Sequence, residues 1–290
     1  MDKQTQRRNM LGLGAAGAVL AAGSLLDVRQ AAAQAQPASL LRTVLDRGKL
    51  IVGTGSTNPP WHFEDDQGKL TGMDIAMARI LAKGLFDDET KVEYVRQDPA
   101  ARVPNVTTGK VDVVVQFMTI SAARAQLVAF SRPYYVEGAA LITSPKSKYP
   151  TYKDLQAAGT AVRASVLQNV DADDLVHQAL PQAQVLQLDS QANVFQAVIA
   201  GRADCGVVDA STVKWLVKRD PKAYADPGFA YQSQLYGAAV RQGDPDWLQW
   251  VNTCFNVGMF GHQTDIYDAA FMEFFGEKVP PIRKPGFPYI

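Results

Sequence analysis

The alternation of strand and helix patterns most strongly constrains how this chain folds. From residue 50 onward, short apolar runs typical of buried strands alternate with segments of helical periodicity. Strands are predicted at residues 50–54, 91–95, 111–115, 161–164, 184–188 and 205–208. Helices are predicted at residues 73–85, 102–108, 151–157, 171–180 and 193–200. This alternation predicts the α/β class, with parallel strands covered by helices.

The alternating elements form two series that resemble each other. Each series contains a Gly-basic-x-Asp turn before a buried strand, at residues 109–112 and 201–204. Two further apolar strands, at 139–143 and 235–240, lie between and after the series. We therefore predict two lobes joined by two hinge strands. Lobe 1 would comprise residues 36–143 plus 236–290, and lobe 2 residues 144–235.

The first 35 residues are predicted to be an export signal. Arg7 and Arg8 precede a Gly/Ala-rich apolar segment, 10–22, that is too short and too weakly apolar for a good membrane span. The segment QRRNML resembles a twin-arginine signal, and Ala33-Gln34-Ala35 supplies a small-x-small cleavage pattern. We expect cleavage, release into the periplasm and no membrane anchor. An uncleaved anchoring helix is the alternative.

Composition excludes several functions. The formal net charge is zero and no basic stripe is interleaved with aromatic residues, so we expect no nucleic-acid partner. His62, His177 and His262 stand at no metal-ligand spacing, and no catalytic or dinucleotide motif is complete, so we expect no metal and no cofactor. Cys205 and Cys254 fit small core residues better than a disulfide.

An arginine in the first turn of a predicted helix indicates an anion site. Ser121 is a favourable N-cap for a helix over residues 122–128, yet Arg124 stands where a capping box places an acid. It follows the strand 111–115, and ligands of open α/β sheets bind beyond the carboxyl ends of strands. A carboxylate held by the guanidinium is the simplest ligand group. Alternatively, Arg124 pairs with a surface acid.

The corresponding strand of the second series ends at an acid, Asp209. If the two lobes face each other, Arg124 and Asp209 lie on opposite walls of one cleft. Such a pair suits a zwitterion, with the arginine on a carboxylate and the aspartate on an ammonium. Asp209 is equally a candidate N-cap for the helix that follows it.

Three segments resemble a known family. Residues 69–78 (KLTGMDIAMA), 118–124 (MTISAAR) and 130–134 (FSRPY) resemble, in order and spacing, motifs of the extracellular solute-binding proteins of polar amino-acid ABC importers. The resemblance covers about residues 46–276. It implies the type II two-lobe periplasmic binding protein fold, a monomer that traps an amino acid as the lobes close and delivers it to an inner-membrane permease. It implies no catalysed reaction.

The resemblance also implies residue roles. Arg124 matches the arginine that binds the α-carboxylate, and Thr119 the residue that adds hydroxyl and backbone N–H contacts. The Phe117 carbonyl would face the α-amine, and Asp209 would bind the α-ammonium. The second-lobe loop departs from the family pattern, so Asn169 is a less secure contact to the carboxylate.

Other departures from the family bear on the side chain of the amino acid. Gly55 and Asn58 stand where binders of cationic amino acids carry an acid and an aromatic, and Pro99 replaces a further aromatic. A cationic side chain would lack its counter-charge. Arg102 resembles the arginine by which glutamate/aspartate binders reach the side chain, although it is equally able to cap or pair locally. Trp61 either packs or contacts the ligand. We therefore predict a small polar or acidic L-amino acid, with glutamate or aspartate first.

A second function class stays open at this stage. The same fold also hosts a periplasmic cyclohexadienyl dehydratase, and a fold by itself does not settle function. That enzyme would bind a carboxylate but would not need an ammonium site. The acid at Asp209 favours the transport receptor.

Overall fold

The computed structural model describes residues 39–276 and 278–279. The predicted export signal, residues 1–35, lies outside this part of the chain and stays a prediction. Within the described ranges, no helix has the combination of length and apolar character that crossing a membrane requires.

The described residues form thirteen strands and ten α-helices. The strands are β1 (Leu50–Thr54), β2 (Thr57–Asn58), β3 (His62–Glu64), β4 (Leu70–Thr71), β5 (Val92–Arg96), β6 (Val113–Val114), β7 (Ala129–Phe130), β8 (Tyr135–Ile142), β9 (Arg163–Leu167), β10 (Gln184–Leu188), β11 (Cys205–Asp209), β12 (Ala230–Tyr236) and β13 (Ala239–Val240). The helices are α1 (Leu40–Arg47), α2 (Met73–Phe86), α3 (Arg102–Thr107), α4 (Ala122–Ala125), α5 (Tyr152–Ala158), α6 (Ala172–Ala179), α7 (Gln191–Ile199), α8 (Ala210–Arg219), α9 (Pro245–Phe260) and α10 (Asp265–Phe275). Short 3₁₀ turns occupy Pro99–Ala101 and Gly159–Ala161.

Two five-stranded mixed sheets carry the fold. The first has the order β5-β1-β6-β13-β7, with β1 parallel to β5 and β6 and with β13 antiparallel to its neighbours. The second has the order β10-β9-β11-β8-β12, with β9 parallel to β10 and β11. We call the parts of the chain built on these sheets lobe 1 and lobe 2. A small three-stranded sheet, β2-β3-β4, belongs to the early part of the chain. The predicted α/β two-lobe architecture is confirmed.

The chain changes sheets earlier than the sequence predicted. Residues 139–143 were assigned to lobe 1, but β8 pairs antiparallel with β11, with Val208 opposite Ala140, and also with β12. The first crossing therefore lies between β7 and β8. The return crossing lies between β12 and β13, near the predicted position. An apolar pattern predicts that a strand is buried but does not show which sheet the strand joins. This explains why residues 139–143 lie in the second sheet and not, as predicted, in lobe 1.

The helix that begins after Ser121 is also shorter than predicted. The Ser121 side chain caps it by accepting from the Arg124 N–H at 3.3 Å, as expected, but α4 ends at Ala125 rather than continuing to residue 128. The chain must turn there because β7 begins at Ala129. A helix of one turn contributes little dipole, so Arg124 acts through its own charge.

Helix α2 is central to the lobe 1 core. Met77 and Leu81 on this helix are fully buried, and α2 packs against β1, α9 and α10. Cys254 on α9 donates its Sγ hydrogen to the Ile80 carbonyl at 3.3 Å, and Cys205 lies in the lobe 2 core. Neither cysteine forms a disulfide, and burial raises the pKa of each thiol to about 12.

Shortening a buried side chain of α2 tests the packing of the lobe 1 core. We expect Leu81→Ala to lower the free energy of unfolding by about 2–5 kcal/mol, because it removes a fully buried side chain and leaves a cavity. Leu127 is 57% exposed, so Leu127→Ala is the matched control. It should change the free energy of unfolding by less than about 0.5 kcal/mol. Urea unfolding followed by circular dichroism measures both, and equal losses would contradict the assigned core.

Candidate functional site

A cavity of about 580 Å³ is bounded by residues of both lobes. Strands β9 and β11 both end at it, and β6 leads into it through Phe117, so the carboxyl edges of the two sheets face the same space. This is the position at which open α/β sheets bind ligands. Six of the eight predicted binding residues line the cavity: Arg102, Phe117, Thr119, Arg124, Asn169 and Asp209.

Arg124 presents a cation to this cavity from lobe 1. Its Nη1 donates to the Thr119 carbonyl at 2.9 Å, and its Nη2 lies 3.7 Å from Asp171 Oδ2 of lobe 2. Burial lowers the pKa of the Arg124 guanidinium, whereas Asp171 opposes this shift. The arginine thus faces the cavity and also pairs with a partly exposed acid, so both sequence interpretations describe part of its environment.

Asp209 supplies the buried acid on the lobe 2 side. It occupies the N-cap position of α8, but its side chain makes no capping hydrogen bond. Its carboxyl oxygens instead accept from Tyr236 OH at 2.5 Å and from Asn58 Nδ2 at 3.5 Å. Burial raises the pKa of Asp209 to about 6, and these two hydrogen bonds oppose the rise. The Asp209 side chain is therefore held by Tyr236 and Asn58 rather than used as a cap.

A second buried carboxyl, Glu137 on β8, lies close to Asp209. It accepts from Gly138 N at 2.8 Å and from both the N–H and the hydroxyl of Ser211. Burial, with the charge of Asp209 as the second cause, raises the pKa of Glu137 to about 8. Burial and the neighbouring carboxyl group of Asp209 thus both disfavour the ionised form of Glu137.

Trp61 does not line the cavity. Its side chain is fully buried, packs edge-on against Tyr135 and Tyr236, and donates from Nε1 to Ser211 Oγ at 3.1 Å. The predicted contact with the ligand is therefore corrected. Of the two interpretations, packing describes Trp61, and the residue links lobe 1 to the start of α8.

Arg102 is a buried cation that also faces the cavity. Its side chain donates to the Pro99 carbonyl at 2.9 Å and to the Gln116 carbonyl at 3.3 Å, and its guanidinium lies 5.5 Å from the centre of the Phe117 ring. Burial, followed by repulsion from Arg124, lowers the pKa of Arg102 to about 9. Among the ion pairs of the described residues, none involves Arg102. Its charge is therefore stabilised in direct contact by carbonyls and an aromatic face, and at longer range by the buried carboxyl group of Asp74.

Two other predicted residues have their side chains engaged within the protein. The Thr119 hydroxyl donates to Gln234 Oε1 at 3.0 Å. The Asn169 amide donates to the Leu167 carbonyl at 2.8 Å, and its oxygen accepts from the Asp171 N–H at 2.9 Å. Asn169 therefore braces its own loop, in keeping with the departure of this loop from the family pattern.

Asn58 lies at a second, smaller cavity of about 180 Å³, which shares Phe117, Leu167 and Gln191 with the larger one. Gly55 lines it as well, and a Cβ at this position would lie 2.5 Å from the His62 ring. The packing therefore does not admit an acid at residue 55 without displacing His62.

The sequence did not identify Asp74 as part of the site. This fully buried carboxyl group on α2 is hydrogen-bonded to His62 Nδ1 at 2.7 Å, to Tyr134 OH at 2.7 Å and to the Phe117 N–H at 2.8 Å. Phe117 has φ +34°, in the left-handed region that costs free energy for a residue with a side chain. The bond from its N–H to Asp74 compensates for part of this strain. The sequence signals for it were its place in the first turn of helix 73–85 and within the motif at residues 69–78.

Tyr236 and Gln234 were also missed. Both lie on β12, whose register shifts between Tyr231 and Ser233, and Gln232 within this irregularity has φ +46°. The bulge immediately precedes the regular stretch of β12 from which Gln234 and Tyr236 reach the cavity. No periodicity in the sequence predicts such a bulge.

Comparisons with known proteins agree with this architecture. Residues 50–271 match the bacterial extracellular solute-binding proteins, family 3. The chain is 31% identical to the glutamine-binding protein of Geobacillus stearothermophilus over 62% of this chain and 68% of that protein. It is 30% identical to the L-cystine-binding protein of Escherichia coli K12, over 73% and 78% of the two chains. The crystal structure of an ancestral amino acid-binding protein, a precursor of cyclohexadienyl dehydratase, is 31% identical, with a TM-score of 0.70 over 82% of this chain and 100% of that one.

Two sheets that share one cavity, with an arginine from one lobe and a buried aspartate from the other, define a two-lobe solute-binding protein. The chain belongs to the bacterial extracellular solute-binding proteins, family 3. The two curated relatives are named as binding proteins, and the family to which this chain belongs is one of solute-binding proteins.

The hydrogen bond between Tyr236 and Asp209 gives a direct test of the site's electrostatics. Tyr236→Phe removes a donor that stabilises the ionised carboxylate, so we expect the pKa of Asp209 to rise above about 6. A carbon-13 NMR titration of the aspartate carboxyl groups measures it. Tyr134→Phe is the control, because Tyr134 bonds to Asp74 and should leave the pKa of Asp209 unchanged. An unchanged or lower value in Tyr236→Phe would contradict the assigned bond.

Proposed function

We propose that the protein is the receptor of an amino-acid ABC importer and that it captures a small polar or acidic L-amino acid, with glutamate or aspartate favoured. The main support for this proposal is that Arg124 and Asp209, from different lobes, line one cavity. The resemblance to glutamine-binding and L-cystine-binding proteins supports an amino acid as the ligand.

The common part of every amino acid is a zwitterion, and the cavity offers groups for both of its charges. Arg124 would bind the α-carboxylate through its guanidinium fork, which suits bidentate recognition. Asp209 would bind the α-ammonium, which also supplies the counter-charge that a buried carboxylate needs. Tyr236 keeps the Asp209 carboxylate in place through its 2.5 Å hydrogen bond.

Arg102 supports the preference for an acidic side chain. It is only 5% exposed, it lines the cavity, and it has no carboxylate partner among the ion pairs of the described residues. A buried charge with no carboxylate in direct contact is costly, so an anionic group that reaches Arg102 would be favoured. A carboxylate on the amino-acid side chain is such a group, and a cationic side chain would be repelled.

Contacts between the lobes suit capture by closure. Thr212 of lobe 2 donates to the Pro59 carbonyl of lobe 1 at 3.0 Å, and Trp61 donates to Ser211 at 3.1 Å. Asn58 contacts Asp209 itself, so the ammonium site includes one group from each lobe. Because these contacts need the lobes together, an amino acid that bridges Arg124 and Asp209 would favour the closed form.

The proposal includes the cellular setting. We propose export through the signal in residues 1–35, action as a monomer in the periplasm, and delivery of the amino acid to an inner-membrane permease. The dehydratase alternative has less support, because the match to the solute-binding family and the resemblance to glutamine-binding and L-cystine-binding proteins favour a receptor.

Binding to a panel of amino acids tests the function. We expect the mature protein to be stabilised most by L-glutamate or L-aspartate in a thermal-shift screen that includes all amino acids and several keto acids, because a ligand stabilises the folded state in proportion to its affinity. Stabilisation by lysine or arginine alone would contradict the acidic preference. If only amine-free acids stabilised the protein, the receptor function itself would be wrong.

Two substitutions separate head-group binding from side-chain choice. Arg124→Ala should weaken L-glutamate and L-glutamine alike, by more than about 100-fold, because the α-carboxylate loses its buried partner. Arg102→Met should weaken L-glutamate by about 10- to 100-fold, the size of a hydrogen bond to a charged group, and should change L-glutamine by less than about threefold. Isothermal titration calorimetry measures both, with Arg132→Ala at an exposed arginine as the control. Equal losses in both variants for both ligands would refute this division of roles.

The pKa of Asp209 predicts a pH dependence. The carboxylate must be ionised to pair with the ammonium, and its pKa is about 6, so affinity should fall as the pH falls through this value. Burial raises the pKa of the neighbouring Glu137 further than that of Asp209, so Glu137 is the weaker acid of the two. From pH 7 to pH 5 the affinity for L-glutamine, whose side chain does not titrate, should fall about tenfold. Asp209→Asn should bind weakly at every pH with a flat profile, and a wild-type affinity that rises on acidification would contradict the assignment.

A further inference from the structure

The loop between β9 and α6 brings an acid from lobe 2 to the carboxylate-binding arginine of lobe 1. Asp171 Oδ2 lies 3.7 Å from Arg124 Nη2. The Arg124 side chain is 12% exposed and the Asp171 side chain 52% exposed, so the pair is formed at the mouth of the cavity that both residues line.

Asn169 fixes the position of this acid. Its amide nitrogen donates to the Leu167 carbonyl, and its amide oxygen accepts from the Asp171 N–H at 2.9 Å. Both ends of the Asn169 side chain are therefore used inside the loop, and the Asp171 backbone is held immediately before α6 begins at Ala172. The loop sets the direction from which the Asp171 carboxylate approaches Arg124.

We propose that Asp171 competes, within the molecule, with the α-carboxylate of an amino acid for the Arg124 guanidinium. This inference rests on the proposed function of the cavity. One guanidinium nitrogen already donates to the Thr119 carbonyl, so the Asp171 carboxylate takes part of the remaining donor edge that a bidentate carboxylate needs. Two carboxylates at that edge repel each other, so binding requires Asp171 to turn away.

The competition between Asp171 and an α-carboxylate for Arg124 is weak. Because Asp171 is half exposed, its carboxylate can move into water at small cost, and ion pairs of this exposure contribute little. Asp171 therefore lowers the affinity of the site by a small factor without blocking it. The apparent affinity falls in proportion to the fraction of molecules in which Arg124 is free to accept a carboxylate.

Asp174 and Asp173, in the first turn of α6, are two neighbouring acids with which Asp171 can be compared. Asp174 lines the cavity but has no ion pair with Arg124 among those of the described residues. Asp173 is exposed, lies away from the cavity lining and accepts from Gln187 at 2.9 Å. If negative charge near the start of α6 lowered the affinity in a general way, removing it at any of the three positions would raise the affinity. Competition for Arg124 predicts this gain at Asp171 only.

Calorimetric titration of Asp171→Asn with L-glutamate and with L-glutamine tests the inference. We expect both amino acids to bind about two- to fivefold more tightly than to the wild type, because both present the same α-carboxylate. The gain should shrink in about 1 M salt, where the partly exposed pair is screened. Asp173→Asn is the matched control and should bind both amino acids as the wild type does.

Three outcomes would overturn the inference. Unchanged or weaker binding to Asp171→Asn would show that Asp171 does not compete, or that it instead contacts the ammonium. A gain for L-glutamate alone would place its repulsion at the side chain and not at Arg124. An equal gain in Asp174→Asn would reduce the effect to general charge.

A second variant examines the loop. Asn169→Ala frees the Asp171 backbone, so it should leave the affinity for L-glutamine unchanged or raise it up to about twofold. A tenfold loss would make Asn169 a direct contact to the amino acid and would contradict its role as a brace. If the wild type bound no amino acid, the proposed function would fail first, whereas normal wild-type binding with no gain in Asp171→Asn would refute only the competition.

Discussion

The buried carboxyl group of Asp74 is the interaction on which the geometry of the site most depends. It joins helix α2 to His62 on β3, to Tyr134 just before the crossing into lobe 2, and to the Phe117 N–H just after β6. Four segments that are distant in sequence are thereby held around one fully buried group. The strained backbone at Phe117 persists because this surrounding structure over-determines it, as is usual at functional sites. The turn that leads to Arg124 starts from that point.

Beyond this point, the site is built from charges that the protein only partly compensates. Burial moves the pKa of Asp209 and Glu137 upward and that of Arg102 and Arg124 downward, so each group is less stable in its charged form than in water. Neutral donors and carbonyls surround these groups. A zwitterion supplies opposite charges to both kinds of group at once, and this is the physical basis for preferring an amino acid over a simple anion or cation.

The sequence predicted the site unevenly, and the reason differs from residue to residue. Arg124 and Asp209 were identified because each breaks or ends a local pattern beside a buried strand. Trp61 was ambiguous because a tryptophan in a loop gives no sign of what it packs against, and the structure assigns it to packing. Asp171 and Tyr236 carried no signal, since the first depends on an exposed loop reaching the opposite lobe and the second on a β-bulge.

By itself, the sequence determined the α/β class, the two-lobe plan and the Ser121 cap, and it singled out Arg124 and Asp209 as candidates for one site. These follow from periodicity and local chemistry, which act over a few residues. Only the tertiary structure decided that β8 joins the second sheet, that α4 ends after one turn, and that Arg102, Arg124, Asp171 and Asp209 line one cavity. These outcomes depend on pairing and packing between distant segments, where burial and partner, not local propensity, set the free energy.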